Sequence, residues 1–237
     1  RYIPFEGERV LFGPRILSEA DAMPDLVVSA EICEDVWSPV PPSIDAAREG
    51  ATVIVNCSAS DETIGKAAYR KSLIEGQSAR LLAAYIYANA GEGESTTDLV
   101  FGGHNIISEN GTTLAEGERF QNGVIYAQVD VKRLISERRK NTTFKTARDR
   151  RLPRVPFHVE LTRTRLSRKF PSRPFVPDAK EERDRRCEEI LTIQAMGLKK
   201  RLAHTRAKTA VVGISGGLDS TLALLVTARA FDMLGMD

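Results

Sequence analysis

Apolar positions in the first 140 residues fall into short blocks of strand length, separated by blocks with helical spacing. Asp25 to Ile32 (DLVVSAEI) and Ala51 to Asn56 (ATVIVN) predict two buried strands. Between them, Ser43 to Gly50 predicts a short helix, with Ser43 as N-cap, Asp45 in the first turn and Gly50 at the C-terminal end. Ile64 to Leu82 predicts a longer helix, and Ala83 to Asn89 a third strand. Asp98 to Phe101, Asn105 to Ser108, Thr113 to Glu116 and Gly123 to Asp130 then predict short strands, with Asn110-Gly111 as a hairpin turn. Val131 to Lys140 predicts a closing helix. Alternating α and β elements followed by antiparallel strands predict one layer of an α/β sandwich.

The pattern changes at Phe144. From there to Asp178 the chain holds five prolines (Pro153, Pro156, Pro171, Pro174, Pro177) and dense arginine, which predicts an extended linker because helix interiors do not tolerate proline. Lys180 to Arg206 predicts a charged helix with apolar positions at Ile190, Leu191, Ile193, Met196, Leu198 and Leu202. Next come a β-branched run, Thr209 to Val212 (TAVV), a glycine loop, Gly213 to Ser220 (GISGGLDS), and an apolar helical pattern, Leu222 to Val226. A strand–loop–helix of this kind aims backbone N–H groups and a helix N-terminus at one spot, which suits phosphate. The glycines permit close backbone approach. No Gly-Lys-Ser/Thr follows, so this is not the common nucleotide loop. Asp219 would repel phosphate unless a cation such as Mg²⁺ lay between them. An ordinary glycine-rich turn is the alternative.

Composition narrows the reading. The 237 residues allow one or two domains, and 42% hydrophobic content is enough for a packed core. A net charge of +2 gives no global field for nucleic acid. Lys132 to Arg173 carries fifteen Lys and Arg against three acids, but aromatics are not interleaved as base stacking needs. A solvated linker or a subunit contact is the favoured reading of that segment. Three widely spaced cysteines (Cys33, Cys57, Cys187) form neither a disulfide framework nor a zinc site, which predicts a reducing, cytoplasmic setting. His104, His158 and His204 show no metal-ligand spacing. The opening residues lack a secretory pattern, and no apolar run reaches membrane-spanning length. The chain starts without Met and stops after the first helix of the phosphate-loop unit, too little to bury an α/β core there, so a longer polypeptide is expected.

Cys33 directly follows a predicted strand, where α/β folds place reactive groups. Glu31, Glu34 and Asp35 surround it, and carboxylates work against the thiolate that a nucleophile needs. A nucleophile here would require a base or cation from elsewhere; a small buried apolar side chain is the other reading. Cys57, inside a predicted strand, reads as core, and Trp37 as a packing residue or a pocket wall.

Cys33 to Trp37 (CEDVW), followed by Pro39 to Ser43 (PVPPS), resembles the nucleophile segment of the nitrilase-like glutaminase domain of glutamine-dependent NAD⁺ synthetases. Asn56 to Ser60 (NCSAS) through Lys66, and Asp98 to Gly102 (DLVFG), resemble later segments of that family. Ser215 to Ser220 (SGGLDS) resembles the pyrophosphate loop of ATP pyrophosphatases and stands where the family's synthetase domain begins. The resemblance implies an α/β fold. Residues 1–143 would be the C-terminal part of a nitrilase-like α-β-β-α sandwich, 144–178 a Pro/Arg-rich linker, and 179–237 the first strand–loop–helix of an adenine nucleotide α-hydrolase-like, Rossmann-like domain.

It further implies a cytoplasmic carbon–nitrogen ligase acting on L-glutamine, deamido-NAD⁺ and ATP with Mg²⁺, homo-oligomeric, with neither nucleic acid nor membrane as partner. Cys33 matches the nucleophile of a Cys-Glu-Lys triad whose Lys and Glu would lie upstream of Arg1, leaving this stretch incomplete for catalysis. Ser60 and Lys66 match glutamine-pocket positions. The family also carries Arg at the latter, and Lys gives up the bidentate carboxylate grip. Glu34 either holds the substrate amino group or is structural. Gly213, Ile214, Ser215, Gly216, Gly217, Leu218, Asp219 and Ser220 match the ATP loop, with Asp219 toward Mg²⁺. Two alternatives remain open: another amidotransferase that joins the same ATP loop to an amidase, and a non-catalytic assembly fragment.

Overall fold

The computed structural model describes residues 1–94, 97–147, 151–170 and 172–236. They form two compact units, Arg1–Arg168 and Lys169–Asp237.

The first unit opens with a hairpin of β1 (Tyr2–Phe5) and β2 (Glu8–Leu11), paired only with each other. Then follow β3 (Leu17–Ala20), β4 (Val27–Ile32), a 3₁₀ turn (Cys33–Trp37), α1 (Pro42–Arg48), β5 (Val53–Ser58), α2 (Lys66–Leu81) and β6 (Ala84–Asn89). β7 (Ile106–Glu109), β8 (Thr112–Glu116), α3 (Val131–Lys140) and β9 (Arg154–Phe157) complete it. Seven strands make one sheet in the order β8-β7-β6-β5-β4-β3-β9. The central strands β4, β5 and β6 are parallel, joined through α1 and α2, and antiparallel strands flank them.

Strand periodicity assigns two faces. Ile54 joins Leu17, Val27, Tyr85, Tyr87 and Ile106 in a core closed by Ala46 and Ala47 of α1 and Ile74 and Leu81 of α2. Val53 and Ala84 belong to the opposite face, where Val131 and Leu134 of α3 cover them. Toward the C-terminal ends of the parallel strands this second face is open: Ala30, Cys57 and Ala88 are exposed, and Ile32 is 67% exposed. Cys57 is therefore surface, not core; it lies on the face opposite the buried Ile54, Asn56 and Ser58.

Several expected elements form as read. The helix Val131–Lys140 does, and so does the hairpin, whose turn residues Asn110 (φ +46°) and Gly111 (φ +82°) both occupy the left-handed region that a two-residue turn requires. Others differ. α1 starts two residues early, with Pro41 rather than Ser43 as N-cap and Pro42 at the first helical position, where a missing N–H costs nothing. Ser43 sits inside the helix, and its N–H donates to the Glu31 carboxylate at 2.9 Å. Asp98 to Phe101 contributes a single bridge, Asp61 to Phe101, and residues 123–130 form no ladder. Within the proline-rich segment, β9 adds to the sheet edge parallel to β3; an edge strand accommodates Pro156. Two of the basic residues there have internal uses: Arg154 pairs with Glu19, and Arg168 grips Glu109 with two bonds of 2.9 and 2.7 Å.

Arg138 ties three elements together. Its buried guanidinium donates to the carbonyls of Leu82 (3.0 Å), Ala51 (2.6 Å), Leu81 (3.0 Å) and Ala47 (3.5 Å), which are the chain ends around α1 and α2. Burial lowers its pKa to about 10, which leaves it charged at neutral pH. Arg138→Met would strand those acceptors, each worth roughly 1 kcal/mol or more when buried unpaired, so a loss of about 2–4 kcal/mol is expected. Urea titration reads this as a lower midpoint at an unchanged slope; an unchanged midpoint would refute the account.

The second unit is a helix pair, α4 (Lys180–Thr205) and α5 (Leu218–Asp232). Ala195 and Leu202 of α4 pack with Ala230 of α5, supported by Leu198, Phe231, Met233 and Leu234. Arg229 bonds Glu188 across the pair at 3.0 Å. Thr209 to Val212 runs without a ladder partner, so the expected strand does not form; a lone β-branched run has no neighbour in this unit to satisfy its N–H and C=O groups.

Candidate active site

Cys33 begins the 3₁₀ turn at the C-terminal end of β4, with φ +51°. A left-handed conformation is costly for any residue but glycine, asparagine or aspartate, and such strain concentrates at functional positions. Three features hold it. Asp35, two residues on, accepts from the Ile32 N–H at 2.8 Å and closes the turn. Asn56 Nδ2, from β5, donates to the Cys33 carbonyl at 3.3 Å and to the Tyr85 hydroxyl at 3.2 Å. Ser58 Oγ donates to Asn56 Oδ1 at 2.7 Å and fixes that amide. Tyr85 in turn donates a short hydrogen bond to Glu31. Burial, then the adjacent Glu31 charge, pushes the Tyr85 pKa far above its ordinary value, so the phenol stays a donor.

The carboxylates that crowd Cys33 in sequence are thus turned to other uses. Glu31 is buried on the helix-covered face, bonded by Tyr85 and the Ser43 N–H. Asp35 is spent on the turn, and only Glu34 stands exposed beside the thiol. Among the described residues no hydrogen bond to Cys33 Sγ is present, so the local fold supplies position and strain rather than a base.

Ser60 and Lys66 lie on the loop from β5 and at the start of α2. Asn89, at the end of β6, clamps the Ser60 main chain: the Ser60 N–H donates to Oδ1 at 2.8 Å and its carbonyl accepts from Nδ2 at 3.0 Å. Lys66 Nζ donates to Asp61 Oδ1 at 2.6 Å and stands 5.8 Å from the centre of the Trp37 ring. Lys66 holds the Asp61 carboxyl below its ordinary value. Trp37 belongs to the Cys33 turn and also meets Tyr69 of α2 at 5.4 Å, so it joins the thiol's turn to the Lys66 end of α2. It also packs, half-buried, against the helix-covered core. Sequence reasoning did not single out Arg70, Tyr85, Asn89 or His104 as site residues.

In the second unit, Gly213 to Gly217 lead into the N-terminus of α5, with Gly217 as N-cap. Gly216 has φ +84°. Ser220 Oγ donates to the Gly217 carbonyl at 3.0 Å and lies 3.4 Å from Ser215 Oγ. Asp219 is exposed in the first turn, and Gly213, Ile214, Ser215 and Leu218 are exposed as well. These eight residues give free N–H groups, hydroxyls and one carboxylate. Among the described residues no group of three or more His, Cys, Asp or Glu is placed to hold a metal ion, and Asp219 is the one carboxylate of this loop.

A parallel three-strand centre with helices packed on both faces, and a strained cysteine at a strand end, makes the first unit an α/β fold with a reactive group placed where such folds carry one. The sequence profile of the carbon-nitrogen hydrolase family matches residues 4–139, and the chain belongs to that family. Residues 190–236 match the NAD synthase profile. The chain is 46% identical to the glutamine-dependent NAD(+) synthetase of Mycobacterium leprae over 237 residues, covering 96% of this chain and 35% of that protein. The enzyme of the same name from Mycobacterium tuberculosis (strain ATCC 25618 / H37Rv) is 44% identical, covering 97% and 35%. The structure of glutamine-dependent NAD+ synthetase from Acinetobacter baumannii in complex with adenosine diphosphate aligns with a TM-score of 0.42 at 18% identity, over 97% of this chain and 32% of that one. The chain thus spans about a third of the length of the relatives it matches. Among the described residues no helix is long and apolar enough to cross a membrane.

Proposed function

We propose that this chain is part of a glutamine-dependent NAD⁺ synthetase. The observation that carries the reading is the succession, in one chain, of a carbon-nitrogen hydrolase region with a strained strand-end cysteine and an NAD synthase region with a glycine loop. Other amidotransferases with a similar ATP loop lack a reason to carry the first region. On this reading residues 1–143 belong to the amide-cleaving domain and 179–237 open the synthetase domain, while 144–178 connect them, with β9 and Arg168 laid against the first unit.

Cys33 Sγ attacks the side-chain amide carbon of glutamine, the tetrahedral oxyanion collapses, ammonia leaves, and water hydrolyses the glutamyl thioester. Asn56 keeps the Cys33 main chain in register for attack by holding its carbonyl. Ser60 and Lys66 receive polar ends of the glutamine, and Glu34, exposed in the Cys33 turn, is the candidate for its amino group. In the synthetase domain, ATP adenylates the nicotinate carboxylate of deamido-NAD⁺, and ammonia displaces AMP. The residues from Gly213 to Ser220 cradle the pyrophosphate with N–H groups and hydroxyls. Mg²⁺, when bound, neutralises phosphate charge beside Asp219. A cytoplasmic homo-oligomer is the proposed setting.

The test is stoichiometry with the full-length protein. Glutamine, ATP and deamido-NAD⁺ are expected to give NAD⁺, glutamate, AMP and pyrophosphate in equal amounts; release of ADP and orthophosphate instead would defeat the reading.

A further inference from the structure

One guanidinium touches three consecutive residues of the loop between β5 and α2. Arg70 is completely buried, at 0% exposure. Its Nη2 donates to Ser60 Oγ and to the Asp61 carbonyl, both at 3.3 Å. Its Nη1 donates to Glu62 Oε1 at 2.6 Å and contacts His104 Nδ1 at 3.1 Å.

Donor logic then fixes the network. Arginine only donates, so His104 Nδ1 accepts and the imidazole proton sits on Nε2. That N–H donates to Glu116 Oε1 at 2.9 Å, and Lys71 Nζ closes the chain on Glu116 Oε2 at 2.6 Å. By the same logic Ser60 Oγ is the acceptor from Arg70, and its own proton stays available to donate to another group. Asn89 already fixes the Ser60 main chain, so Arg70 sets the remaining freedom, the hydroxyl. Through the Asp61 main chain Arg70 also anchors the residue whose carboxylate holds Lys66 Nζ at 2.6 Å.

We propose that Arg70 is a positioning residue for the glutamine subsite: it presents the Ser60 hydroxyl as a donor and sets the Lys66 ammonium on the same loop, so that the two receive the substrate's α-carboxylate. This rests on the reading of Ser60 and Lys66 given above. A plain structural anchor would need only the Glu62 ion pair; the bonds to Ser60 and Asp61 are the part that bears on substrate.

Removing Arg70 alone would leave Glu62 as an unpaired buried charge, so the test uses the double variant R70Q/E62Q in the full-length enzyme, with glutamine and ammonium as alternative donors. Ammonium-driven synthesis is expected to stay within about twofold, while KM for glutamine rises by about tenfold or more and kcat changes little. S60A alone is expected to raise KM for glutamine comparably, and to add less than about twofold in the R70Q/E62Q background. An unchanged KM, a fall in kcat alone, or effects of S60A that multiply with those of R70Q/E62Q would overturn the proposal. If ammonium-driven synthesis also collapses, R70K decides: it keeps the charge but not the planar fork, so a raised KM supports the proposal and a normal KM overturns it. Wild-type protein that makes no NAD⁺ from glutamine would overturn the underlying reading, and this proposal with it.

Discussion

Cys33→Ala in the full-length enzyme is expected to lower glutamine-driven NAD⁺ synthesis by about 10³-fold or more, while ammonium-driven synthesis stays near the wild-type rate. The size follows from chemistry: without Sγ there is no acyl-enzyme, and no neighbouring hydroxyl or thiol stands in the same turn. The selectivity follows from location. Cys33 sits at the end of β4 in the first unit, and the glycine loop lies in the second. Alanine removes the thiol without touching what holds the turn, because Asn56 bonds the Cys33 carbonyl and Asp35 bonds the Ile32 N–H. The check is initial rates with each nitrogen donor; glutamine-driven turnover surviving in the variant would show that another group is the nucleophile.

Gly216→Val is expected to depress synthesis from both donors by about 100-fold or more, because both routes need the same ATP site. Gly216 has φ +84°, and among the described residues, its own chain neighbours aside, no atom lies within 4 Å of where its Cβ would be. The cost is therefore conformational, roughly 1–2 kcal/mol for a left-handed residue, rather than a clash within the fold. The valine side chain would occupy the open space in front of the loop, where phosphate must approach. Far-UV circular dichroism is expected to be unchanged, which separates this outcome from unfolding. Should only the glutamine-driven rate fall, the loop could not be the ATP site.

Periodicity was most informative where an element satisfies itself. α3 and the Asn110-Gly111 hairpin carry their own signals, a helical stripe and a turn dipeptide, and both form as read. Elements defined by a distant partner were opaque. β9 is a four-residue strand inside a Pro/Arg-rich run, and only β3, more than a hundred residues earlier, makes it a strand. Thr209 to Val212 shows the converse: strand composition with no ladder partner gives no strand.

At the candidate site, the cysteine was legible from its place after an apolar block, but its supports were not. Asn56, Ser58 and Ser60 fall on alternate positions, a polar run on a face that is otherwise core, and that alternation is a signal the sequence does contain. Arg70, Asn89 and His104 come from elements separated in sequence, and only the fold brings Arg70 to Ser60 and His104.

The hydrogen bonds that run from Glu31 through Tyr85 and Asn56 to the Cys33 carbonyl cross three neighbouring strands of the sheet. Such a platform cannot fray by itself: releasing the cysteine backbone means separating β4 from β5, so its opening free energy approaches that of the whole unit. The Asn56 and Tyr85 amides would then exchange with solvent deuterium among the slowest in the chain. The glycine loop is built the other way. Within this chain Val211 is 98% exposed and its segment has no ladder, so in this stretch alone its amides are expected to exchange through local opening. The cysteine site, by contrast, is stiff before any substrate arrives.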